Sequence, residues 1–221
     1  MRIGLVDYGM GNLASVERAL RAAAPTCDVV RITHPEGLDA VGAVVLPGVG
    51  AFDAAMRALD QSGLAEGLAH YLQAGRPLLG ICLGYQLLFD EGEEVSRDRE
   101  RRAVRGLGWL AGRVRRLGAG LTVPHVAWNR LELTGRFAPL FDAQRPGEGP
   151  YVYFAHSYYP EPPSPDDVVA WCTIQGTSAS VRFAAAAWRG AAGGVQFHPE
   201  KSGAEGLAML ARFVRWAERQ P

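Results

Sequence analysis

The first 90 residues alternate short apolar runs with amphipathic stretches, and this alternation limits the possible folds more than any other feature of the chain. The runs "RIGLVDYG" (2–9), "CDVVRI" (27–32), "GAVVLPG" (42–48) and "RPLLGIC" (76–82) have the length and the Val, Ile and Leu content of buried strands. Between them, "NLASVERALRAAA" (12–24) puts Leu13, Val16, Leu20 and Ala23 on one helical face, and 52–60 and 64–74 also read as helices. The stretch 83–91 is read as the helix that follows the fourth strand. Such a series predicts a parallel sheet with helices on both faces.

After residue 95 the texture changes. "SRDRERRAVRG" (96–106) reads as a solvated, arginine-rich loop. Short strand-like pieces at 112–117, 121–127, 150–155, 167–173, 178–183 and 185–189 are spaced like antiparallel hairpins. "GGVQFHPE" (193–200) reads as a last buried strand. The helix at 203–219 has Leu207, Leu210, Phe213, Val214 and Ala217 on one face. "PEPPSPDD" (160–167) is a loop rather than a linker, because both its flanks are strand-like. The expectation is one α/β domain over residues 1–221, enough chain for a sizeable core at 48% hydrophobic residues.

Charge and cysteine usage exclude several roles. With 23 basic and 23 acidic residues, no general surface for nucleic acid or an acidic membrane is implied. No apolar run reaches the ~18 residues that a membrane helix needs. The start, "MRIGLVDYG", is a strand pattern rather than a targeting segment. Cys27, Cys82 and Cys172 stand far apart, without metal-ligand spacing, and such sparse cysteines suit a reducing cytoplasm. No cofactor or metal site is read.

One cysteine has an unusual setting. "GICLG" encloses Cys82 between Gly80 and Gly84 where a strand runs into a helix, the cysteine form of a nucleophile elbow. Side chains at positions 80 and 84 would collide with a sharp turn there. The helix that follows would aim its N-terminal amides at the sulfur and favour thiolate, and the Leu83 amide would face an oxyanion. Cys27 and Cys172 read as small core residues.

A thiol nucleophile needs an imidazole. His34 and His70 read as surface residues. His198 ends a buried strand, with Glu200 two positions on and Pro199 fixing the turn between them. A carboxylate so placed can bend back to the ring and set its tautomer, giving the order Cys82, His198, Glu200. His156 is the alternative base, with no carboxylate close behind it.

"GICLGYQLL" and "GVQFHPEKSG" resemble the class I, triad-type glutamine amidotransferases, which have a flavodoxin-like fold with a mostly parallel mixed sheet, flanking helices and added antiparallel strands. "VDYGMGNLASV", "LPGVGAF", "PHVAWN", "YFAHSYY" and "QFHPEKSG" together are similar to the glutaminase subunits of imidazole glycerol phosphate synthases. The resemblance runs from residue 6 to about residue 203.

It implies that Cys82 attacks the side-chain amide of glutamine, with His198 as base and Glu200 orienting it. It further implies that Gly48, Val49 and Gly50 form an oxyanion strand, in which rotation of the Gly48–Val49 peptide presents an N–H beside that of Leu83. Gln86 and Glu94 would hold the α-amino and carboxylate groups of glutamine, and the His156–Ser157 backbone would line the pocket. Asn12, Trp128, Tyr153 and Lys201 match positions that face a cyclase subunit, a (β/α)8 barrel, in a heterodimer. Lys201 is the sole lysine of the chain and directly follows His-Pro-Glu, so a compact ammonium is expected to matter there.

Two positions depart from the family. Ala127 stands where glycine is usual, which would disturb docking if that backbone needed φ > 0 or close approach to the barrel, and Tyr85 stands where methionine is common. The competing readings are a glutaminase of pyridoxal phosphate or anthranilate synthesis, a free-standing cysteine peptidase or esterase, and a non-catalytic subunit with a relict triad. "DYGMGN" and "PGVGAF" disfavour the first.

Overall fold

The structure is a computed structural model that describes residues 1–94, 103–141, 146–162 and 164–220. In chain order its strands are β1 (Arg2–Val6), β2 (Asp28–Ile32), β3 (Ala43–Gly48), β4 (Leu78–Cys82), β5 (Phe89–Gly92), β6 (Val104–Arg105), β7 (Leu110–Arg116), β8 (His125–Thr134), β9 (Pro146–His156), β10 (Tyr158–Glu161), β11 (Val168–Gln175), β12 (Ser180–Arg189) and β13 (Ala192–Val195). The helices are α1 (Leu13–Ala23), α2 (Phe52–Gln61), α3 (Leu64–Gln73), α4 (Leu83–Gln86) and α5 (Gly203–Ala217). Short 3-10 turns occupy Pro35–Ala40, Pro165–Asp167 and Pro199–Lys201.

Nine strands form one sheet in the order β2-β1-β3-β4-β13-β12-β11-β8-β9. The first five are mutually parallel, and the other four continue the sheet antiparallel. A smaller sheet, β10-β7-β5-β6, lies apart from it.

The alternation of the parallel strands divides the core in two. Ala43 and Val45 of β3 share one cluster with Val16 and Leu20 of α1 and Leu210 and Phe213 of α5. Val44 and Leu46 share the other with Phe52 and Leu59 of α2 and Leu64 and Leu68 of α3. Both faces of the strands are therefore buried, and each such Leu, Val or Phe contributes about 1.5–3 kcal/mol by leaving water.

The βα half matches expectation closely, with one correction. The expected helix over 83–91 is a single turn, Leu83–Gln86, after which the chain extends into β5. Leu87, Leu88 and Phe89 are all fully buried, so the run has no solvent side to give a helical period. Pairing of Phe89 with Leu110 on β7 then outweighs the local preference. The pieces at 178–183 and 185–189 are one strand, β12, and the strand expected at 121–127 starts at His125 and runs on to Thr134.

The stretch expected as loop at 160–167 opens inside β10, which pairs with β7. Of the arginine-rich stretch, 96–102 lie outside the described residues, and Val104–Arg105 pair with β5. The last buried strand ends at Val195, so Gln196, Phe197 and His198 leave the ladder at its carboxyl end. Among the described residues no helix is long and apolar enough to cross a membrane.

A Cβ on Gly84 would lie 1.8 Å from the Leu46 carbonyl oxygen, a backbone atom that cannot step aside. Gly84→Ala is expected to lower the unfolding free energy by about 3 kcal/mol, the upper range for an overpacked core. Urea unfolding of the two chains checks this, and an unchanged midpoint would contradict it.

Candidate active site

The sheet register assembles the site. Parallel pairing of β3 with β4 sets Gly48 opposite Cys82. Pairing of β13 with β4 sets Val195 opposite Ile81, so Gln196 leaves the sheet level with the cysteine. Three strands thus end together at the carboxyl edge of a parallel sheet, where open α/β folds place their ligands.

Cys82 has φ 54° and ψ −109°, and no other non-glycine residue among those described has positive φ. Holding such a conformation costs about 1–3 kcal/mol. The packing maintains it: a Cβ on Gly80 would stand 2.7 Å from the Tyr85 Cα, and one on Gly84 would strike the Leu46 carbonyl. This is the collision expected from the sequence. The helix after it is different. A single turn has little macrodipole, so the field expected at the sulfur is weak, and the site relies on specific hydrogen bonds.

The imidazole comes from His198. Its backbone N–H donates to the Tyr153 carbonyl at 2.9 Å, and its backbone carbonyl accepts from the Ser202 hydroxyl at 2.7 Å. The Tyr153 amide closes the loop on the Ser202 oxygen at 3.0 Å. Nδ1 of the ring lies 2.8 Å from Oε1 of Glu200, whose side chain is only 1% exposed. Burial alone pulls the proton affinity of His198 down. Hydrogen bonds and charge interactions with Cys82 and Glu200 outweigh it and hold the imidazole well above its ordinary range.

The alternative base, His156, is disfavoured. Its Nδ1 lies 2.9 Å from the Tyr158 carbonyl, and burial first of all pulls its pKa down to about 3. It stays neutral, and Nε2 has no partner among the described residues.

Cys82, His198, Val49, Gly50, Leu83, Gln86, Glu94, His156 and Ser157 all face one cavity of about 180 Å³, together with Pro124, Ala155 and Tyr158. Glu200 stands behind His198. Gly48 lies under the cavity, where a Cβ would meet the Tyr8 hydroxyl at 2.5 Å and the Leu83 Cβ at 2.9 Å. Glycine is needed at 48 for space, whereas Gly50 needs its freedom for a φ of +103°. Leu83 is the first residue of α4, so its amide has no partner within the helix.

The chain of residues 4–216 matches the family model described as glutamine amidotransferase class-I. A protein named imidazole glycerol phosphate synthase subunit HisH 2, from Parasynechococcus marenigrum, is 42% identical and covers 99% of this chain and 97% of its own. Subunits named HisH from Gloeobacter violaceus and Geobacillus thermodenitrificans are each 44% identical, over 97% and 96% of this chain and 89% and 94% of theirs. The chain belongs to the class-I glutamine amidotransferases, and within them to the HisH family. The fold agrees with a solved structure described as PurLQS from Thermotoga maritima, at a TM-score of 0.74 and 18% identity over 97% of this chain and 98% of that one.

As in any amidotransferase pocket, the polar wall decides which groups of a ligand can be held. Nε2 of Gln86 donates to the Tyr158 carbonyl and to Gln196 Oε1, both at 2.9 Å. Its Oε1 is the face left for a ligand, and that is an acceptor. Glu94 accepts from the Phe52 amide at 3.2 Å. Two acceptors suit an ammonium rather than a carboxylate, which narrows the expectation for this pair. Gln196 and Tyr8 were not anticipated. A glutamine inside "GGVQF", a strand otherwise free of polar side chains, was the available signal. The Tyr8 hydroxyl donates to the Pro47 carbonyl at 2.9 Å, at the base of the Gly48–Val49 segment.

The exposed Trp128 and Lys201 and the half-buried Tyr153 form one cluster beside His198. Trp128 is 52% exposed and stacks edge-on to Tyr153 at 6.0 Å. The Lys201 ammonium lies 5.7 Å over the Tyr153 ring, which is itself 6.4 Å from His198. Asn12 precedes α1 at the surface, and α1 packs against the turn that carries Lys201. Ala127 pairs with Phe154 at negative φ, so its backbone conformation is not one reserved for glycine. Tyr85 fills the space behind the elbow, fully buried, with its hydroxyl on the Ala184 carbonyl. Among the described residues no cluster of three His, Cys, Asp or Glu side chains could hold a metal ion.

Burial, partly offset by the Phe52 amide and reinforced by Asp53, pushes Glu94 up from 4.5 to about 7. The folded chain therefore holds this proton more tightly than the unfolded one. The stability it contributes is complete below about pH 4.5 and is lost as pH rises through about 7. Glu94→Gln is expected to gain stability relative to the parent between pH 5 and pH 8. Urea unfolding at both pH values reads the difference, and a gap that stays constant would contradict it.

Proposed function

We propose that this chain hydrolyses glutamine and hands the ammonia to a cyclase subunit, serving as the glutaminase of an imidazole glycerol phosphate synthase in the cytoplasm. The observation that carries the proposal is Cys82 and His198 facing one cavity, with His198 hydrogen-bonded to the buried Glu200 and two acceptors for an α-ammonium group in the same wall. The kinship with HisH subunits supplies the pathway.

The steps follow from the geometry. His198 takes the Cys82 proton, and the sulfur attacks the side-chain amide carbon of glutamine. The oxyanion lies between the Leu83 N–H and an N–H of the Gly48-Val49-Gly50 segment. His198 returns the proton to the leaving nitrogen, and ammonia departs from a glutamyl thioester. Water, deprotonated by His198, then attacks the thioester carbon, releases glutamate and restores the thiol. Glu200 keeps the ring in one tautomer throughout. Gln86 and Glu94 take the ammonium end of the substrate, and the His156–Ser157 segment forms the opposite wall.

The cluster of Trp128, Tyr153 and Lys201, with Asn12, is the docking face for a (β/α)8-barrel cyclase in a heterodimer. There ammonia reacts with the phosphoribulosyl-formimino-aminoimidazole-carboxamide ribonucleotide, whose cleavage gives imidazole glycerol phosphate and releases an aminoimidazole carboxamide ribonucleotide. A peptidase is disfavoured by the cavity, which at about 180 Å³ falls below the ~300 Å³ at which sites for larger ligands begin.

Cys82→Ala tests the assignment in the assembled complex. It is expected to remove glutamine-driven synthesis, by at least about 10³-fold, and to leave ammonia-driven synthesis near the parent rate. Retained glutamine-driven synthesis would refute Cys82 as nucleophile.

A further inference from the structure

Gln196 belongs to no part of the triad, yet it is the polar side chain buried deepest beside the nucleophile, with no exposure at all. Its Nε2 lies 3.7 Å from the Cys82 sulfur, within reach of an N–H to sulfur hydrogen bond. Which end of a glutamine amide faces a given atom is settled by its partners, and here the partners leave no choice. The Tyr158 carbonyl can only accept, so the end of Gln86 that meets it at 2.9 Å is the NH2. The same NH2 meets Gln196 at 2.9 Å, which must therefore present Oε1. The other end of Gln196, directed at the sulfur, is then its NH2. A backbone carbonyl thus fixes, through two amides, the sign of the group that faces Cys82.

We propose that Gln196 is a third functional partner of the nucleophile, an N–H donor held in one orientation by Gln86 and the Tyr158 carbonyl, which stabilises the thiolate and the sulfur as it is released from the thioester. The proposal rests on Cys82 being the nucleophile. It gives the site a neutral source of thiolate stabilisation where the one-turn helix supplies little field. The arrangement also gives Gln86 two tasks, since the amide that offers Oε1 to the substrate orients the donor to the sulfur with its NH2.

The test is the rate–pH profile of Cys82 alkylation by iodoacetamide on the whole chain, read by mass spectrometry of the Cys82 peptide so that Cys27 and Cys172 do not contribute. The titratable groups around Cys82, namely His198 with its Glu200, the Tyr8 hydroxyl, and Glu94 and His156 in the same cavity, are left intact. Gln196→Met keeps the bulk and removes the donor. Its profile is expected to move to higher pH, with labelling at pH 7 slower by about tenfold, the order of one lost hydrogen bond to a charged acceptor. Gln86→Met keeps Gln196 but frees its amide to turn, and the same shift to a smaller degree is expected. A purely structural role would change thermal unfolding and leave the profile in place. A parent-like profile in folded Gln196→Met, or in Gln86→Met should the first variant not fold, overturns the proposal. A parent chain whose Cys82 resists labelling altogether overturns the nucleophile assignment and the proposal with it.

Discussion

Cys82 holds a backbone conformation that L-residues avoid, and the contact of Gly84 with the Leu46 carbonyl keeps it there. Most of the site depends on that contact. A wider approach would lower the turn, swing the sulfur off the line of His198, and open the gap between β3 and β4 that sets Gly48 against Cys82. The strain, about 1–3 kcal/mol, is small beside the burial of Leu46, Leu83 and Tyr85 around it. A strained residue is stable here because its neighbours are over-determined.

The same edge of the sheet sorts its histidines. His156 and His198 are both buried and are exposed by only 5% and 4%. One is surrounded by Phe154, Phe183 and a backbone carbonyl and stays neutral. The other meets a thiol and a carboxylate and is held charged against the pull of burial. Burial is nearly equal in the two cases, so the partners decide which ring can move protons. Glu94 shows the converse. Among the described residues it has an amide partner but no cation, and its carboxyl titrates high, which leaves it ready to ionise when an ammonium arrives.

The parallel half of the fold was legible because both its periods are plain in the sequence, and "GICLG" and "HPE" singled out Cys82, His198 and Glu200, which the fold brings to one place. Leu87 to Phe89 misled because a segment buried on every side has no period to read. The antiparallel strands were found but poorly bounded, since their ends are set by partners far away, such as His156 opposite His125. Gln196 stayed hidden for a similar reason. Its role follows from the orientation of Gln86, and no local pattern encodes a relation between residues 86 and 196.

On the proposed assignment, the catalytic residues and the docking face adjoin one another in this chain. Tyr153 holds the backbone of His198, stacks on Trp128 and lies under Lys201, so a subunit seated on that cluster would press on the triad itself. The account's central claim is a glutaminase whose turnover waits on that contact. The most direct measurement is glutamate release from glutamine by the purified chain, first alone, then with the cyclase barrel encoded in the same genome, then with the barrel and its ribonucleotide ligand. Near-silence alone and strong stimulation by barrel plus ligand is the predicted result. Brisk hydrolysis by the isolated chain, indifferent to the barrel, would contradict it.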